Sequence, residues 1–117
     1  MITDLITYEQ IIQEVQLPPI HSQNDVDIVQ NLLHIRRCLI ERVTQIKKYQ
    51  ATAYRAQGTI LEVDSKMDGD YPESAKMDLR GRKMEAQATI ENCRLMTEQH
   101  WLELDMFKAT LNEGQGT

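Results

Sequence analysis

Aromatic residues make up only 5% of the 117 positions, and no stretch alternates apolar and polar residues between turn signals. A β-sandwich or barrel needs that alternation, so neither is expected. Cysteine is scarce: Cys38 and Cys93 lie far apart in the chain, without CxxC spacing. Two such residues are too few for a disulfide scaffold and read as reduced thiols of a cytoplasmic protein. No apolar run reaches the roughly 18 residues that mark a membrane-spanning helix. The opening Met1-Ile2-Thr3-Asp4 has no basic stretch ahead of an apolar one, so no secretory leader is expected. The three prolines and five glycines are few enough that most mark a break in helical pattern.

What the chain has in quantity is helix formers arranged in a seam. Ile28, Leu32, Ile35, Leu39, Ile46, Tyr49, Ala53, Ala56, Ile60, Val63 and Met67 recur at steps of three, four and seven, with Arg42 standing in the one gap. That is the a/d pattern of a coiled coil. A second row, Val29, Leu33, Ile40 and Val43, widens the stripe in the first half, while Ala53 and Ala56 narrow it later.

The pattern predicts four segments in one helical domain. Residues 4–16 form a short amphipathic helix capped by Asp4 or Thr7 and stopped by Leu17-Pro18-Pro19-Ile20. A long helix comes next over 25–67, about 60 Å at 1.5 Å per residue, with Gly58 as a possible kink and a cap drawn from His21 to Asp25. Residues 68–74 form the turn, with Gly69 supplying positive φ and Ser74 capping the next helix. That second long helix occupies 75–112, weakened near Gly81 and firm from about Arg82, and 113–117 form a tail. Two long helices joined by a short turn pack antiparallel. The expected fold is therefore all-α: an antiparallel two-helix coiled-coil hairpin with a short N-terminal helix, associating into a homo-oligomer. The wide end supplies a candidate protein interface of Ile28, Val29, Leu32, Leu33, Leu39, Ile40, Val43, Trp101 and Phe107.

Charge is unevenly spread. The net value is −5, which argues against a general nucleic-acid coat. Yet Ile35 to Ile60 holds six bases and one acid, whereas residues 1–34 hold five acids and no base. On a helical wheel Arg37, Lys48 and Arg55 share the side opposite the seam, with Arg36 and Lys47 beside them and Tyr54 nearby. Such a stripe suits phosphates or an acidic partner, with Tyr54 as a stacking platform for a base. It also suits a plain solvated helix face. Arg42, at a seam position, is expected to pair with Glu98 or Glu103.

Catalytic and metal chemistry find little support. His34 with Cys38 and Cys93 with His100 share helix faces, but no short ligand spacing is present, so packed thiols and surface histidines are expected. Asp64 to Asp70 imitates the start of a calcium loop, but Lys66 at its third position and Ala75 at its twelfth exclude one. No nucleophile–base spacing, phosphate-cradling loop or HExxH occurs, and Glu91, Glu98, Glu103 and Asp105 do not form the ExxE and ExxD pairs of the all-α nucleotide pyrophosphohydrolases. No catalytic, cofactor-binding or metal-binding residue is assigned, and the chain is not expected to be an enzyme.

Several short patches together resemble the recombination mediators of T4-like phages. They are Pro19-Ile20-His21-Ser22, Lys47-Lys48-Tyr49, Asp68-Gly69-Asp70, and Trp101 with Leu104, Asp105 and Phe107. The resemblance covers these patches only, and it implies a helical oligomer that handles single-stranded DNA. The expected function is a non-catalytic assembly or adaptor protein working through protein–protein contacts, as an accessory or inhibitory protein of a phage or mobile element. The alternative is a single-stranded nucleic-acid-binding accessory protein of the mediator type.

Overall fold

Two stops in the sequence, at Pro18-Pro19 and at Gly69 to Pro72, divide the chain into three helices. A computed structural model describes residues 5–114, with side chains over 8–111, and shows α1 (Leu5–Gln13), α2 (Gln23–Met67) and α3 (Glu73–Gly114). No strand occurs among the described residues, and no helix there is long and apolar enough to cross a membrane. The expected caps Asp4 and Thr7 lie outside the described positions and side chains; of the expected tail 113–117, Glu113 and Gly114 belong to α3 and 115–117 lie outside the described residues. The two long helices pack against each other. The chain divides into two compact units, Met1–Ile46 with Gln99–Thr117, and Lys47–Glu98.

In the first unit, α2 starts at Gln23, two residues earlier than its charge pattern suggests, because Ser22 is the cap. Its Oγ accepts the Asp25 amide at 3.3 Å, and Asp25 Oδ2 accepts the His21 amide at 2.9 Å. This reciprocal arrangement satisfies two amides at the start of the chain's longest helix. Helix α1 has nine residues, too short to be stable alone, so packing must hold it. Tyr8 and Ile12 bury against Leu32, Ile35, Leu39, Val43, Ile46, Leu104 and Leu111, with Ile11, Val15, Trp101 and Phe107 around them. Tyr8 is the anchor, fully buried, with its ring 5.6 Å from that of Trp101 and tilted 53°. Its hydroxyl donates to Asp105, and Lys108 Nζ sits 5.9 Å from the ring centroid. Burial first, then the Asp105 hydrogen bond and charge, push the Tyr8 phenol well above its ordinary range.

Arg42 interrupts the seam and meets Glu103, with Nε 2.5 Å from Oε2; the other candidate, Glu98, is engaged by Arg94. The Nε–H is not directed at that oxygen and makes no aligned hydrogen bond. The contact is therefore a charge pair at the edge of the core.

The second unit is a two-helix hairpin with a slender seam. Ala56 and Val63 on α2 are buried, as are Leu79, Ala86 and Cys93 on α3, with Ala53, Ile60, Met67, Ile90 and Met96 half-buried beside them. Lys83 Nζ reaches Asp64 Oδ1 across the helices at 2.8 Å. In the turn, the Gly69 amide donates to Lys66 O at 3.0 Å. Space rather than left-handed backbone favours glycine there: an added Cβ would stand 2.5 Å from Tyr71 Cε2, on an exposed ring that would have to shift, and 3.1 Å from Lys66 O. Pro72, not Ser74, begins α3, its carbonyl accepting the Lys76 amide at 3.1 Å. The helix runs without a break from Glu73 through Gly81.

This packing is open to two tests. Tyr8→Phe removes a hydrogen bond to a charged acceptor and should cost about 1.5–3 kcal/mol in urea unfolding. Because the folded phenol titrates higher than the unfolded one, Tyr8 favours the fold below about pH 10 and loses that effect as pH rises further. Wild type should therefore lose more stability than Tyr8→Phe between neutral pH and strong alkali. Separately, a Cβ at Gly58 or Gly81 meets nothing within 4 Å. Gly58→Ala and Gly81→Ala should each stabilise the dilute chain by roughly 0.5–1 kcal/mol, read as a raised thermal midpoint.

Candidate functional site

The basic stripe divides between the two units. Arg36 and Arg37 belong to the first; Lys47, Lys48, Tyr54 and Arg55 belong to the second. Arg37, Lys47, Lys48 and Arg55 are exposed, while Arg36 is half-buried with its Nε enclosed and without a hydrogen-bond partner. Tyr54 is 79% exposed, a large value for a tyrosine in the middle of a helix.

Within the second unit, Arg55 lies along an open groove of about 310 Å³, shared with Arg82, Glu85, Thr52, Thr59, Thr89, Ala56 and Ala86. The groove exists because two alanines face the seam where larger side chains would fill it. Two guanidinium groups invite an anion, but the surrounding polar groups are committed elsewhere. Thr52, Thr59 and Thr89 donate to the carbonyls of Lys48, Arg55 and Glu85, at 3.0, 3.3 and 3.0 Å. Arg55 donates to Thr52 Oγ1 at 3.2 Å, and the Glu85 carboxylate opposes a second negative charge. The groove is a packing deficit rather than a built phosphate cradle.

The candidate protein interface is sorted by burial. Leu32, Leu39 and Val43 belong to the core of the first unit, Val29 is buried, and Trp101 and Phe107 are half-buried against that core. Ile28, Leu33 and Ile40 are exposed, so this half of the wide stripe faces outward. On α3, Leu102 and Met106 in the first unit, and Met77, Met84 and Leu95 in the second, are also exposed, as is Leu61 on α2. Position accounts for this exposure: Met77, Met84 and Leu95 fall on the side of α3 opposite Leu79, Ala86 and Cys93.

Three acids of α3, Glu73, Glu91 and Glu98, are tied into its own surface by Arg80 and Arg94. Arg94 engages Glu91 at 2.5 Å and Glu98 at 2.6 Å, and its hydrogen bond holds the Glu91 carboxyl below the usual carboxylate range. On α2, the Lys66 hydrogen bond and charge, helped by Arg82, lower Glu62 in the same direction. The cysteines and histidines do not assemble. Cys38 Sγ lies 3.7 Å from His34 Nε2, Cys93 is buried, and no group of three or more candidate metal ligands occurs among the described residues. His100 is buried rather than on the surface, completing a seven-residue series with Leu79, Ala86 and Cys93. Its polarity hid it from a search for apolar positions, although its spacing pointed to the seam.

No protein-family model matches the chain, and no curated protein or solved structure is significantly similar to it.

Proposed function

We propose that this chain is a non-catalytic helical assembly module that works through protein–protein contacts. One observation carries the reading: large apolar side chains repeat along helix faces turned away from the buried seam. Leu61, Met77 and Met84 are each more than 60% exposed, and Leu102 and Met106 continue the theme in the other unit. Isolated apolar residues on a surface need no explanation, whereas a row at helical spacing is the pattern that a partner helix reads. Methionine suits such a face because its flexible thioether adapts to the partner. A phage or mobile-element setting has only the patch resemblance behind it.

Light scattering across the micromolar range should return a mass above that of one chain, or a lysate of the native host should yield a protein bound to it. A monomer that binds no protein would end this reading.

The exposed Tyr54 beside Lys48 and Arg55 favours one alternative, an accessory protein that binds single-stranded nucleic acid along Arg36, Arg37, Lys47, Lys48 and Arg55. On this alternative, affinity for a labelled oligonucleotide falls steeply with salt because each neutralised phosphate releases counterions. Arg37→Glu, Lys48→Glu and Arg55→Glu together should abolish binding with helicity unchanged. Absence of binding at about 50 mM salt, where phosphate contacts are strong, excludes it.

A further inference from the structure

Both helices of the second unit carry an apolar row on the side facing away from their mutual seam. At about 100° per residue, Ala51, Tyr54, Gly58 and Leu61 lie opposite the buried Ala56 and Val63 of α2. Met77, Gly81, Met84, Ala88 and Leu95 lie opposite the buried Leu79, Ala86 and Cys93 of α3. All nine of these outward residues are exposed. A hairpin that leaves an apolar row on each of its two backs has two faces to cover.

Glycine adds an independent sign. Gly58 and Gly81 each stand inside a helix, where glycine is about 1 kcal/mol worse than alanine, and neither has a neighbour within the chain that a Cβ would strike. Intrachain packing therefore gives no reason for either. Each sits within an outward row, where lack of a side chain lets a second helix come close.

Charge identifies what comes close. Beside the α2 row stand Lys48 and Arg55, seven residues apart; beside the α3 row stand Asp78 and Glu85, also seven apart. All four are exposed, and none makes an ion pair among the described residues. An α2 back on an α3 back matches opposite charges at equal spacing.

We infer that the second unit binds another copy of this chain head to tail, with the outward face of α2 in one copy on the outward face of α3 in the next. The inference rests on the assembly reading above and names its partner. Such a contact is heterologous, so each copy keeps one free face of each kind, and repetition gives a ring or a filament.

The test uses two variants of the full chain, each blocked on one face: Tyr54→Glu with Leu61→Glu, and Met84→Glu with Leu95→Glu. These sites are exposed, and helicity by circular dichroism checks that both fold. Wild type should associate with increasing concentration, and each variant alone should run as a monomer. An equimolar mixture should give a 1:1 heterodimer of twice the monomer mass, because one intact α2 face still meets one intact α3 face. Charge reversal supplies a second readout. Lys48→Glu with Arg55→Glu, and Asp78→Lys with Glu85→Lys, should each lose association alone and regain it when mixed. The inference is overturned if either blocked variant still self-associates as wild type does, or if the mixtures stay monomeric. It is also overturned if wild type is a monomer that captures a different protein, an outcome that leaves the broader assembly reading standing.

Discussion

A helix packed against a single neighbour can bury only one side of its circumference, and this limit shapes the second unit. Ala56 and Val63 meet a side of α3 made by Leu79, Ala86 and Cys93, and no third element lies over the remaining surface of either helix within that unit. Alanine in the seam brings the backbones near, at the cost of buried area, since each lost methylene forgoes about 0.8 kcal/mol of burial. The unit is therefore held by a thin strip of contact and the Lys83–Asp64 bridge. Exposed ion pairs such as that bridge contribute about 0–1 kcal/mol each. The thin strip, rather than any shortage of apolar residues, is why Leu61, Met77, Met84 and Leu95 stand in solvent.

The first unit escapes the same limit by adding α1. One buried tyrosine with one carboxylate acceptor lets a nine-residue helix be held by packing it does not generate itself. Tyr8 contributes ring area to Trp101 and directs its only polar atom to Asp105, so desolvation leaves no orphaned hydroxyl. Leu32 of the seam and Val43 of the row that widens it receive this added layer, and Val29 of the same row is buried.

Much of this architecture is legible in the order of residues. The three helices, the proline stop, the turn near Gly69, the narrowing at Ala56 and the choice of Glu103 or Glu98 for Arg42 all come from period and spacing. What spacing leaves open has one cause: a hydropathy pattern records which residues are apolar, not how many neighbours exist to cover them. Met84 and Ile40 fit a helical stripe as well as Leu79 and Leu39 do, but fall on the uncovered side. His100 fails the apolar test and is buried, because its place in the series from Leu79 outweighs its polarity. Gly81 lowers the local propensity without ending α3, since cooperativity along a 42-residue helix carries one unfavourable residue. Function is less legible than fold because a face awaiting a partner and a face that is merely solvated contain the same residue types, as Lys48 and Arg55 illustrate.

The burial of Cys93 has a kinetic consequence. Its thiol lies in the seam of the second unit at 3% exposure, while Cys38 on α2 is partly open to solvent. An alkylating reagent can reach Cys38 in the folded chain, but it meets Cys93 only when the two helices part. Labelling at Cys93 is thus gated by local opening, and its rate is a clock for how often the hairpin comes undone.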